Sequence, residues 1–178
     1  TSMNNKIRTP LVWAMALISA SLLAAGCAGY RVGSMLPGDV KTVHVPTFIN
    51  RTSEPLLEID TTQAAISALQ RDGSLRVVRN VNDADAVLEV VLTEYRIEPV
   101  SFRKDVRTAA QQYRAFIIAN MVMRRTSDQS VVVEAVRIEG KYVFDVIGDL
   151  TSSKLQANPQ AATDLANTLV QRMVEYWP

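Results

Sequence analysis

The chain opens on an apolar run from Leu11 to Ala25, broken only by Ser19 and Ser21, and after Val40 the apolar positions become periodic. Val40, Thr42 and His44 alternate with Lys41, Val43 and Val45, which predicts a first strand over Val40–Phe48. Pro46 inside it points to a sheet edge or an early stop. Ser53 suits a helix cap, with Pro55 in the first turn. A stripe of Leu56, Ile59, Gln63, Ile66 and Leu69 predicts a helix over about 54–72, stopped by Gly73. Leu75–Arg79 reads as a short strand. Ala86–Ile97 reads as a long one, with Ala86, Leu88, Val90 and Leu92 on one face and Val87, Glu89, Val91, Thr93 and Tyr95 on the other. Gln112–Arg125 alternates most clearly. Tyr113, Ala115, Ile117, Ala119, Met121 and Met123 share its buried face, and Phe116, Ile118 and Val122 join the polar residues opposite. Ser127-Asp128-Gln129 turns the chain into a hairpin partner, Val131–Phe144. Leu150–Gln156 reads as polar and irregular. Asn158 then caps a last helix with Pro159 at its first position, and Ala162, Leu165, Leu169, Met173 and Tyr176 form the buried stripe.

The predicted order is β-α-β-β-β-β-α. It implies an α+β fold, with two helices packed on one face of a mixed or antiparallel sheet. The first β-α-β unit suits a right-handed crossover.

The N-terminal run changes the picture of where the domain works. Lys6 and Arg8 precede it, and the small residues Ala24, Ala25 and Gly26 end it. That pattern is an export signal, too short for a comfortable span of ~20 residues. The chain's single cysteine, Cys27, stands at the exit. Ala24-Ala25-Gly26-Cys27 resembles a bacterial lipobox, with Ala24 where Leu is usual and Leu23 one step early. The resemblance implies cleavage before Cys27 and acyl chains on its sulfur and new amine. Each buried CH₂ contributes about 0.8 kcal/mol, and two or more chains anchor stably where one does not. Residues 1–26 are then a lipoprotein signal peptide, 27–39 a lipidated tether, and 40–178 a single α+β domain. Ala28, where Asp would favour inner-membrane retention, implies the outer membrane, with the domain on the periplasmic side. The bland alternative is a small free cysteine in an ordinary export signal.

Composition narrows the function classes. The chain carries 19 Lys+Arg against 18 Asp+Glu. From Cys27 onward the balance is close to neutral, so bulk attraction to nucleic acid is not indicated. With Cys27 acylated, no thiol remains for a disulfide or a nucleophile. His44 is the only histidine; flanked by Val43 and Val45, it reads as structural rather than as a catalytic base. No nucleophile-elbow, phosphate-loop or dinucleotide motif is present. One histidine with scattered carboxylates is a poor metal site. No catalytic residue, metal or cofactor is expected, and the protein is not read as an enzyme. Glu134 and Glu139, beside Arg137, read as cross-strand charge partners on a solvated face.

The charged segment that stands out is Ser101-Phe102-Arg103-Lys104-Asp105-Val106-Arg107, between the two long strands. Three cations on one exposed tip suit phosphate, since Arg offers a planar fork and Lys a point charge. Arg114 and Arg96 are placed to approach the same end of the sheet, with Tyr95 or Phe102 as an aromatic neighbour. A plain solvated hairpin tip fits the same residues.

These parts add up to a family pattern. Cys27 is followed by Gly29-Tyr30-Arg31. Next come a strand ending Val45-Pro46-Thr47-Phe48 and a helix over Leu56–Arg71. Leu75-Arg76-Val77-Val78 and Ala84-Asp85-Ala86-Val87-Leu88-Glu89-Val90 follow, then two long strands and a C-terminal helix. This resembles the lipopolysaccharide-assembly lipoprotein (LptE) family over nearly the whole of the chain beyond Cys27. The resemblance implies an outer-membrane lipoprotein that plugs and helps assemble a β-barrel translocon partner, LptD, and that binds lipopolysaccharide. It would set Arg103, Lys104, Arg107 and Arg114 against the phosphates of lipid A. The competing reading is a periplasmic lipoprotein that regulates a cell-wall synthase or builds part of a secretion pore.

Overall fold

The computed structural model describes residues 36–101 and 112–174. Strands β1 (Thr42–His44) and β2 (Ile49–Asn50) precede helix α1 (Leu57–Asp72). Strand β3 (Arg76–Val78) and a 3₁₀ turn at Val81–Asp83 lead into three long strands, β4 (Ala86–Ser101), β5 (Gln112–Arg125) and β6 (Val131–Asp145). Helix α2 (Leu150–Val174) closes the domain. The sheet runs β3-β1-β4-β5-β6, with β2 pairing β4 beyond the short β1. β1 lies parallel to β3 and β4, whereas β4, β5 and β6 are antiparallel. The expected α+β class, with helices on one face of a mixed sheet, is what the chain adopts.

The core lies between that face and the helices. Leu88, Leu92, Ile117, Met121 and Met123 from the sheet meet Leu57, Leu69, Leu165, Leu169 and Met173 from the helices, all fully buried. Helix α2 sits so close to β6 that a side chain on Gly140 would collide with Leu165.

β1 ends at His44, so Pro46 acts as the early stop, and β1 itself is an inner strand. Its tie to β4 is a side-chain lock. Asp85 Oδ2 accepts from the N–H groups of Lys41 and Thr42 and from the Thr42 hydroxyl, each at 2.9 Å. The Asp85 N–H donates back to Thr42 Oγ1 at 2.8 Å. These bonds hold the Asp85 carboxyl below its ordinary range, the Lys41 amide first and the Thr42 hydroxyl next.

Four sequence expectations shift. Helix α1 begins at Leu57, not at a Ser53 cap; Leu56 precedes it at φ 64° with no side-chain cap. Its buried side is Leu57, Thr61, Ala65, Ala68 and Leu69, whereas Leu56 and Ile59 are 66% and 57% exposed. The face turned inward carries small residues, which let α1 pack closely on α2. The second shift is in β4. A bulge between Leu92 and Glu94 changes the alternation, so Tyr95 and Ile97 join the helix-facing core rather than the opposite face. Third, Leu150–Gln156 is helical, and α2 starts two turns before Asn158. Asp149 accepts from the Ser152 N–H at 2.9 Å and starts the helix instead. Pro159 stands inside α2, where it leaves the Leu155 carbonyl without its helical donor. Fourth, no ion pair joins Arg137 to Glu134 or Glu139 among the described residues. All three lie on the one strand β6, where Glu134 faces Val122 and Glu139 faces Ile118, and Arg137 sits at φ 53° in a register shift with its N–H on Asn120 Oδ1, so none stands across a strand from another.

Gly73 ends α1 as expected, at φ 76° with its N–H on the Leu69 carbonyl. Tyr176 lies outside the described residues.

Candidate functional site

The end of the sheet that carries the expected site is fixed by one register pair. Ser101 faces Gln112 where β4 and β5 terminate, and Gln112 faces Asp145 at the end of β6. Arg103, Lys104 and Arg107, together with Phe102, belong to the segment joining β4 to β5 and lie outside the described residues, as does Cys27.

Arg114 is described, and it does meet Arg96. Both point to the sheet face away from the helices, where Arg96 pairs in register with Phe116. The Arg96 guanidinium carbon stands 4.3 Å from the centre of the Phe116 ring, and that of Arg114 stands 5.8 Å from it. Cation–ring contacts of this kind contribute about 0.5–1 kcal/mol. Arg96 is neutralised by Glu94 (Nη1–Oε1 3.1 Å) and Glu98 (Nε–Oε1 3.0 Å). Arg114 has no carboxylate partner among the described residues. It is therefore the cation of this pair whose charge is uncommitted.

The aromatic neighbour is Phe116, not Tyr95. Phe116 is 6% exposed although it lies on the helix-free face. The signal for it was present: Phe116 is two residues from Arg114 on one strand, so the two share a face. Tyr95 lies on the other side of the sheet, where its hydroxyl donates to Asn158 Oδ1 at 2.8 Å. Burial, followed by the charge of Glu54, drives the Tyr95 phenol well above its ordinary range, against the opposing effect of the Asn158 bond.

That tyrosine belongs to a buried polar network that periodicity does not reveal. Glu54, 6% exposed, receives Asn158 Nδ2 at 3.1 Å on one oxygen and Lys154 Nζ at 2.8 Å on the other. Its backbone carbonyl accepts from Asn50 Nδ2 at 2.8 Å. The network joins the loop before α1 to α2 and β4. Every strong donor in it has an acceptor, so it serves as a tie rather than a reactive centre.

The His44 Nδ1 lies 3.3 Å from the Val78 carbonyl on the neighbouring strand. Among the described residues no group of three or more His, Cys, Asp or Glu is placed to hold a metal ion. No described helix is long and apolar enough to cross a membrane.

Comparison with known proteins agrees with the fold. A minor lipoprotein from Acinetobacter baumannii shares it at TM-score 0.51 and 12% identity, covering 78% of this chain and 93% of the other. An uncharacterized lipoprotein B from Nitrosomonas europaea aligns at TM-score 0.46 and 11% identity, over 82% of this chain and 86% of the other. PelC from Paraburkholderia phytofirmans, a dodecamer, aligns at TM-score 0.44 and 16% identity, over 76% and 95%. No curated protein matches the sequence significantly. The model of one sequence family, described as lipopolysaccharide-assembly, matches residues 40–176. That span takes in every described strand and both described helices, and the chain therefore belongs to the lipopolysaccharide-assembly (LptE) family.

Proposed function

We propose that this protein is a non-enzymatic, lipid-anchored component of the lipopolysaccharide translocon of the outer membrane. Cys27 carries the lipid, after removal of residues 1–26, and residues 27–39 tether the domain on the periplasmic side. The domain plugs, and helps assemble, an LptD-like β-barrel. The cations Arg103, Lys104, Arg107 and Arg114 at the β4–β5 end contact the phosphates of lipid A. The observation that carries this reading is the family match over residues 40–176. Arg114 supports the ligand part, because among the described residues no carboxylate pairs with its guanidinium, whose planar fork suits a phosphate.

Affinity purification from detergent-solubilised membranes tests the partner. A large outer-membrane β-barrel should co-purify. A peptidoglycan synthase, or a ring of identical subunits, would replace this reading with a cell-wall or secretion-pore role.

The lipid contact has its own test. In the Arg103→Glu, Lys104→Glu double variant, lipopolysaccharide affinity should fall at least about tenfold, the equivalent of 1.4 kcal/mol. Arg114→Gln should weaken binding further, with a stability loss of no more than about 1 kcal/mol from the lost ring contact. Full affinity in all three substitutions with an intact fold would remove the basic end from ligand binding.

A further inference from the structure

The outer strand of the sheet carries a feature that the translocon reading does not use. Among the described residues β6 pairs only with β5, so its far side is an edge. Edges expose unpaired N–H and C=O groups that invite another strand, and proteins usually blunt them. Here two side chains do so at two positions. The Lys141 N–H donates to Asp164 Oδ2 at 2.9 Å, and the Ile147 N–H donates to Ser153 Oγ at 3.0 Å. Both guards come from α2. The ladder with β5 runs without a register shift from Asp145 to Ile138. Residues two apart from Lys141 therefore also direct their backbone groups outward. Val143 and Asp145 are those residues between the guards. Among the described residues, no hydrogen bond reaches the outward N–H of either.

The surroundings suit a peptide. A groove of about 580 Å³ runs beside this stretch, with Tyr142, Phe144, Ile147 and Ala157 among its walls. Tyr142, Val143 and Ile147 are 40%, 39% and 81% exposed. The Asp145 carboxylate has no ion-pair partner among the described residues.

The geometry points to a strand-addition site: the Val143–Asp145 edge of β6 takes a short extended segment of another polypeptide. The segment exchanges backbone hydrogen bonds with Val143 and Asp145. It turns apolar side chains toward the groove and sets a cation opposite Asp145 on the other face. Asp164 occupies the place where an added strand would bond to Lys141, so the incoming segment is short and ends there. This inference is independent of the lipid A contact and of the barrel.

Residue-resolved hydrogen exchange on the full chain in detergent tests it. The probe is a heptapeptide of alternating valine and threonine, with one threonine replaced by lysine. Saturating peptide should slow exchange of the Val143 and Asp145 amides about tenfold or more and leave Lys141 unchanged. Val143→Pro should abolish binding. It removes an outward N–H that bonds nothing in the free protein, so the melting temperature should hold. The same peptide N-methylated at the residue facing Val143 should not bind; this control stands even where the proline variant folds poorly. Unchanged exchange at millimolar peptide, or equal binding by the N-methylated peptide, would overturn the proposal. Protection that rises with protein concentration alone would also overturn it, in favour of a second copy of this chain.

Discussion

Gly140 is where a single atom matters most. A Cβ at that position would overlap the Cβ and backbone of Leu165. Both the strand and α2 would have to move apart, and Leu165 is fully buried. Overpacking of this kind typically costs 1–3 kcal/mol. Gly140→Ala should therefore lower the unfolding free energy measured in urea by about that much, whereas Gly38→Ala, which meets open space, should not through packing. Asp85 gives a residue-scale prediction of another kind. Its carboxylate takes three hydrogen bonds from Lys41 and Thr42 but is exposed to solvent. Asp85→Ala should cost only about 1 kcal/mol. The sign of its pH dependence is fixed by the lowered folded pKa. The ionised form bonds better in the folded state. The contribution is complete above the unfolded value of about 3.9 and disappears as pH falls through the folded value below it. Asp85→Asn should thus flatten the acid limb of a stability-against-pH curve in that window. An unchanged acid limb would show that Asp85 does not govern it.

At the scale of elements, α2 and α1 show why some of the fold was legible in the sequence and some was not. The alternation in β5 and the turn at Ser127–Gln129 were plain, because large apolar residues mark one face and turn residues close the hairpin. In α1 the inward face is marked by Thr61, Ala65 and Ala68. Small residues hardly register in a hydrophobic stripe, so Leu56 and Ile59 looked inward while they are exposed. In α2 the Asn158-Pro159 pair has the chemistry of a helix start, yet tertiary bonds override it. Asn158 is spent on Glu54 and Tyr95, contacts about a hundred and about sixty residues away in sequence that no local pattern can announce. Of the site, Arg114 and Arg96 were legible as neighbours, and Phe116 beneath them was missed. Two predictions follow from the α2 assignment. Pro159→Ala restores the donor for Leu155 and should raise stability. The gain should stay below the ~3 kcal/mol of an interior helical proline, because the more flexible unfolded chain offsets part of it. Glu54→Ala removes the acceptor of a buried amide and of the Lys154 ammonium, and should cost about 2–4 kcal/mol. A double-mutant cycle with Lys154→Ala should show coupling, since the two oxygens of Glu54 serve different donors.

At the scale of the molecule, the long hairpin separates the end beside the proposed tether from the end that leads into the basic segment. Asp39 lies where the tether would enter the domain, and Arg125 grips it through two contacts, Nε–Oδ2 at 2.9 Å and Nη2–Oδ1 at 3.3 Å. Arg125 faces Ala86, at the start of β4, whereas Ser101 and Gln112 close the other end. Sixteen strand residues span roughly 50 Å at about 3.3 Å each. The twelve steps from Cys27 to Asp39 reach at most about 40 Å even when fully extended. The proposed tether is thus shorter, even when fully extended, than the hairpin. In vesicles carrying a lipid-borne quencher, a fluorophore at Ser127→Cys on the lipidated chain should be quenched more strongly than one at Val100→Cys. Arg125→Ala frees Asp39 and should narrow that difference without abolishing vesicle binding. Equal quenching at both positions in the unaltered chain would mean that the domain lies flat on the membrane. A chain that fails to bind vesicles would instead count against the anchor at Cys27, so the two failures read differently.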